Sequence, residues 1–130
     1  MGIIIWNDSF SVSNNDFDNH HKKLISYINQ LFESMQKGKG KETAAGLIKE
    51  LHDYSVYHFS KEEEKLSSVN YPKLDEQKMA HAIYIKKIEE FQTKLKEGDL
   101  FLSVDMLEFL SNWLQDHILK MDKEYKNYIS

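Results

Sequence analysis

What most limits the fold of this chain is how rarely its backbone is interrupted. The only proline is Pro72, and the glycines beyond the N-terminus fall at Gly38, Gly40, Gly46 and Gly98. These residues are the strongest breakers of regular structure, so long helices separated by a few short joints are expected. Between the joints, apolar residues recur in alternating steps of four and three, the period of one helix face. After an extended N-terminal arm carrying Trp6, Phe10 and Val12, a first face reads Phe17, His21, Leu24, Ile28, Leu31 and Met35 and ends at Gly38. A second reads Ala44, Ile48, Leu51, Ser55, His58, Glu62, Leu66 and Val69 and stops at Asn70-Tyr71-Pro72. A third reads Leu74, Gln77, His81, Tyr84, Ile88, Phe91 and Leu95 and stops near Gly98. The fourth, N-capped by Ser103, reads Met106, Leu110, Trp113, His117 and Met121. Four helices of roughly 20 residues joined by short loops predict antiparallel neighbours. The expected fold is therefore all-α, an up-down-up-down four-helix bundle formed by residues 1–130 as a single domain.

Each of these faces is interrupted by polar side chains at positions the period assigns to the core: His21, His58, Glu62, Gln77, His81 and His117. Burying a carboxylate and several imidazoles costs several kcal/mol unless something compensates, and a metal centre is an economical compensation. His58 and Glu62 are four residues apart, as are Gln77 and His81, which stacks each pair on one helix face. Asp122 follows His117 by five. That overshoots one turn, so Asp122 reaches the same site only if it leans in or if the helix widens locally, as at π-bulges near functional sites. The chain has no cysteine, so a metal must be held by nitrogen and oxygen, a donor set suited to iron, manganese or zinc. Two carboxylates can each bridge two metals.

Taken singly, each histidine reads as a hydrogen-bonded core or surface imidazole; their joint placement on four faces is what favours a metal site. His20 lies about 100° round the helix from His21, so His21 belongs to the inward stripe and His20 to the boundary or surface. His52, six residues before His58, falls off the ligand face and reads as exposed or as a supporting group. Glu63 and Glu64 read as a solvated charge run, and the lysines near the loops as a solubilising surface.

Seventeen basic against twenty-one acidic residues give a formal charge of -4, with no basic stripe to neutralise a phosphate backbone, so nucleic acid is not an expected partner. The absence of cysteine is compatible with a reducing compartment. The opening Met-Gly-Ile-Ile-Ile-Trp is too short for a signal peptide and departs from the myristoylation pattern at Trp6. No apolar run approaches the length needed to span a bilayer. A cytoplasmic location without a membrane partner is expected.

These residues resemble the bacterial hemerythrins. The similarity runs from Trp6 through Phe17-Asp18-Asn19-His20-His21-Lys22-Lys23-Leu24, then Tyr54-x-x-x-His58-Phe59-x-x-Glu62-Glu63, then Tyr71-Pro72 and His81. It continues to Trp113-Leu114-x-x-His117-Ile118-x-x-x-Asp122-x-x-Tyr125. The resemblance implies two non-haem irons. One would be held by His21 and His58 with a position open to dioxygen, the other by His81 and His117. Glu62 and Asp122 would bridge them together with an oxo or hydroxo group. Leu24, Phe59, Trp113, Leu114 and Ile118 would line an apolar pocket at the open position, and Tyr125 would support the ligands from outside. The implied function is reversible dioxygen binding, for storage or delivery, with dioxygen reduced to hydroperoxide as both ferrous ions become ferric. Peroxide and azide are related small ligands, and an unidentified redox partner fits the same chemistry.

The chain departs from the family pattern at Gln77, where a third histidine on the second iron is expected. Glutamine offers a neutral carbonyl oxygen, leaves the position to water, or stands by; all three readings stay open. With two histidines per iron the set comes nearer to the ferritin-like carboxylate proteins. A di-iron oxidase or peroxidase is therefore an alternative function, and an oxygen or redox sensor a further one, although a sensor usually needs an attached output domain.

Overall fold

The computed structural model describes residues 4–36, 41–96 and 104–129. Four long helices account for most of them: α1 (Asn15–Gln36), α2 (Lys41–Ser68), α3 (Leu74–Lys96) and α4 (Val104–Asp116). Among the described residues there is no strand. α1 packs along α2, α2 along α3, and α4 closes against α1 and α3, as an up-down-up-down bundle requires. The joints expected at Gly38, Gly40 and Gly98, the Ser103 cap and the Met35 side chain lie outside the described residues.

The N-terminal arm is extended apart from one tight turn at Asp8–Phe10 and a bend at Ser13 (φ 58°), and polar side chains on α1 tie it down. Asp18 accepts the backbone N–H of Val12 (2.9 Å) and the hydroxyl of Ser11 (2.7 Å). Asn29 pairs with both backbone groups of Ile4, accepting from its N–H at 2.9 Å and donating to its carbonyl at 2.8 Å. Thus anchored, Ile4, Phe10 and Val12 are buried. α1 itself is capped by Asn14, whose side chain accepts the Phe17 N–H at 3.0 Å.

The end of α2 follows from local chemistry at the expected stop. Asn70 has φ 56°, the left-handed conformation that asparagine tolerates better than most residues. The Tyr71 N–H returns to the Leu66 carbonyl (3.0 Å) and the Asn70 N–H to Ser67 (3.1 Å), the paired bonds of a Schellman stop, with Pro72 next to bar continuation. The fourth helix departs from the expected uninterrupted form. α4 ends at Asp116 and gives way to a wide π turn at His117–Met121, a tight 3-10 turn at Asp122–Tyr125, and a last helical turn, α5 (Lys126–Ile129).

The core is divided. A large apolar cluster includes Leu24, Ile28, Phe59, Tyr84, Ile88, Leu110, Leu114 and Ile118. A smaller one at one end holds Val12, Phe17, Leu66, Tyr71 and Tyr125. On each of the four helices the passage from one cluster to the other crosses buried polar residues: His21 on α1, Glu62 on α2, Gln77 and His81 on α3, and His117 and Asp122 on the widened fourth segment. A polar layer therefore crosses the bundle between two apolar ones.

Candidate metal centre

A fully buried leucine or isoleucine contributes about 1.5–3 kcal/mol, whereas a buried polar group without a partner costs a comparable amount. A layer made of His21, His58, Glu62, Gln77, His81, His117 and Asp122, all buried, is therefore not explained by stability.

The helices bring these side chains together as two imidazole pairs spanned by two carboxylates. Nε2 of His21 lies 3.1 Å from Nε2 of His58, and Nε2 of His81 lies 3.1 Å from Nε2 of His117. Glu62 sends Oε2 toward the first pair, 3.3 Å from His58 and 3.7 Å from His21, and Oε1 toward the second, 2.9 Å from His81. Asp122 does the same from the opposite wall, with Oδ2 3.2 Å from His21 and Oδ1 3.1 Å from His117. The donor atoms form two groups, His21, His58, Glu62 and Asp122, and Glu62, His81, His117 and Asp122, in each of which they lie within 4.8 Å of one another. Both carboxylates belong to both groups.

These residues fit a pair of cations. Four Nε2 atoms face inward at separations where two neutral imidazoles can share one proton at most, and the carboxylate oxygens crowd the same space. Glu62 Oε1, Asp122 Oδ2 and Gln77 Oε1 are buried without a hydrogen-bond partner. Nitrogen and oxygen donors alone suit iron, manganese or zinc.

The electrostatics of the bare protein reflect the same crowding. Burial works against the protonated form of His21, but the adjacent carboxylates of Asp122 and Glu62, toward which its ring N–H points, outweigh it and raise its pKa to about 9. At His58 burial prevails over the nearby Glu62 charge and lowers the pKa. His81 is raised, burial being outweighed by Glu62 and Glu63. Both carboxylates resist burial and are held below their ordinary range by the surrounding imidazoles. The layer carries separated charge even without a metal.

Around these atoms stands a set of supporting contacts. Tyr125 donates its hydroxyl to Glu62 Oε2 at 2.6 Å. Gln77 donates from Nε2 to Asp122 Oδ1 at 3.1 Å, so it is engaged with a carboxylate of the layer. Phe59 stacks on the His81 ring (centroids 3.9 Å apart, 5° between planes) and Trp113 on the His117 ring (4.5 Å, 11°). Both aromatics thus lie against the second imidazole pair, and the Phe59 ring also stands 5.6 Å from that of His58 in the first. Leu24, Leu114 and Ile118 are fully buried in the large apolar cluster.

Two residues enter the site that sequence reasoning had set aside. Glu63, expected in a solvated charge run, accepts from His81 Nδ1 at 2.7 Å. His20 is half-buried at the boundary, and its Nδ1 lies 2.9 Å from Nδ1 of His58. No periodic signal marks either one, since both contacts cross between helices. His52 stands apart, bonded to Asp53 (3.1 Å) and Glu89 (3.0 Å) on the outer face of α2 and α3, while Glu64 is exposed as expected.

Comparison with known proteins agrees with this geometry. The Hemerythrin HHE cation binding domain matches residues 12–129. The bacteriohemerythrin of Clostridium acetobutylicum is 34% identical over 127 residues, spanning 95% of this chain and 98% of its own. A hemerythrin-like protein of Naegleria gruberi is 31% identical over 124 residues, spanning 95% of this chain and 92% of its own. The crystal structure of a wild-type hemerythrin superposes with a TM-score of 0.91 at 26% identity, covering 98% of each chain. With a buried histidine and carboxylate layer inside a matching bundle, the chain belongs to the hemerythrin family.

Proposed function

We propose that this protein holds two non-haem irons and binds dioxygen reversibly. The observation that carries the reading is the span of the two carboxylates, each of which offers one oxygen to the His21–His58 pair and the other to the His81–His117 pair. His21 and His58 would hold one iron, His81 and His117 the other, and Glu62 and Asp122 both. When bound, the ferrous pair supplies affinity for dioxygen and the two electrons that dioxygen takes up and gives back on release.

The chain's own residues supply orientation and dryness. Tyr125 holds one oxygen of Glu62 and Gln77 one oxygen of Asp122, which fixes both carboxylate planes. The stacked rings of Phe59 and Trp113 fix the imidazoles of His81 and His117. Leu24, Leu114 and Ile118 keep water and protons away from the first pair, and that exclusion slows irreversible oxidation. A cytoplasmic site of action, within a single-domain chain, fits the cysteine-free composition.

Gln77 favours a second reading. Only two imidazoles converge on each half, a set nearer to that of the ferritin-like carboxylate proteins, and the carbonyl of Gln77 is a weak donor at best.

An anaerobic spectrum of the diferrous protein followed by air separates the two. A new absorption band that appears with air and disappears under vacuum is expected for the carrier. Direct conversion to the ferric form with release of peroxide would replace it by the enzyme, and fully loaded protein with a single metal, or with zinc alone, would remove both.

A further inference from the structure

We infer that Glu63 is a positioning residue for the second metal position, and that its carboxylate offsets the weak donor Gln77 by making His81 a stronger one. The inference rests on the two-metal reading above and assigns unequal outer support to its two halves.

The four inward imidazoles differ sharply at their outer nitrogens. His81 Nδ1 meets a carboxylate oxygen of Glu63 at 2.7 Å. His58 Nδ1 meets another imidazole, that of His20, at 2.9 Å. His21 Nδ1 and His117 Nδ1 are buried without a hydrogen-bond partner. Because a carboxylate only accepts, His81 must carry its proton on Nδ1, which leaves the Nε2 lone pair facing inward. A hydrogen bond to an ionised acceptor is about twice as strong as a neutral one, and it shifts electron density through the ring toward Nε2. Outer partners of this kind typically change metal affinity 10- to 100-fold.

The placement of this carboxylate is informative because of what shares the half with it. Gln77, one turn before His81 on α3, stands in the buried layer and has an unpartnered carbonyl oxygen. The half with the poorest third side chain is the half whose histidine has the best outer partner. Stacking of Phe59 on His81 holds the plane of the ring, and the Glu63 bond holds its tautomer. Glu63 itself lines a groove between α2 and α3 together with Val56, Ser60, Lys78 and Lys86, so it can be replaced without emptying the core.

The test uses full-length protein loaded anaerobically with cobalt(II), whose ligand-field bands report each position, and follows extraction by a chelator. Two phases are expected in the wild type. Glu63→Gln keeps an acceptor but removes its charge; it should speed one phase about 10- to 100-fold, leave the other unchanged, and shift the bands of the metal lost first. The melting temperature of the metal-free variant should match that of the wild type. In a Gln77→His background the same change should have a several-fold smaller effect, because a third imidazole makes up for the weakened His81. Equal acceleration of both phases, no acceleration, or an undiminished effect with Gln77→His would overturn the inference while leaving a two-metal wild type intact. A wild type that takes up fewer than two metals would overturn the two-metal reading and this inference with it.

Discussion

Tyr125 shows how much one buried hydroxyl contributes at this site. It lies in the smaller apolar cluster, where a phenylalanine would pack as well, yet its hydroxyl donates to Glu62 at 2.6 Å. Burial first, then the charges of Asp122 and Glu62, push its pKa well above the ordinary tyrosine value, so it stays a donor at any working pH. A hydrogen bond to a charged group is worth about 1.5–3 kcal/mol. Tyr125→Phe should therefore destabilise the metal-free protein by about 2 kcal/mol in urea denaturation, while the loaded protein keeps two irons per chain. Unchanged stability would mean that Glu62 finds another donor.

Among the elements, the break in the fourth helix has a geometric cause. An unbroken α-helix keeps one face through steps of four or three, but the inward residues here are His117, Asp122 and Tyr125, at steps of five and then three. The π turn takes up the extra residue, with the Asp122 N–H shared between the carbonyls of His117 and Ile118, and the tight turn that follows removes it again. Across both turns the eight residues cover the distance of two ordinary steps of four, so Tyr125 still reaches Glu62. Because Tyr125 pins the far end, the widened turn should persist when its residues are exchanged. The double variant Met121→Asp with Asp122→Met should then direct the carboxylate toward the half-exposed place of Met121, and iron content should fall from two per chain to one or fewer. Retention of both irons would show that the turn relaxes to an α-helix and is imposed by the aspartate alone.

For the molecule as a whole, the larger apolar cluster draws on all four helices and joins them on one side of the polar layer. Within the layer itself, buried imidazoles and carboxylates leave several polar atoms without partners unless cations are bound. A metal that binds only the folded state stabilises it by about 2.7 kcal/mol at a free concentration 100 times its Kd. For a domain of this size that corresponds to a rise in Tm on the order of 10 °C. Calorimetry of loaded and chelated protein should show a shift of that order, reversed on adding ferrous iron back. A smaller shift than a few degrees would mean that the layer is already stable on its own. No described helix is long and apolar enough to cross a membrane.

The period of the apolar residues determined the four helices, their inward faces and the polar residues on them, because a helix's angular repeat depends only on its own chain. For that reason His21, His58, Glu62, Gln77, His81 and His117 could be read as inward before any contact was known, and Asn70-Tyr71-Pro72 as a stop. Contacts between helices were not legible in this way. The period turns Glu63 away from the inward stripe of α2, yet α3 packs where that residue emerges and brings His81 to it. The same packing sets His20 against His58 and turns Phe59 and Trp113 onto the second imidazole pair. The spacing from His117 to Asp122 raised the question of a widened turn and could not answer it, since Asp122 and Tyr125 meet their partners only on other helices. Angle around one's own axis is a local property; which neighbour occupies that angle is decided only when the four helices pack together.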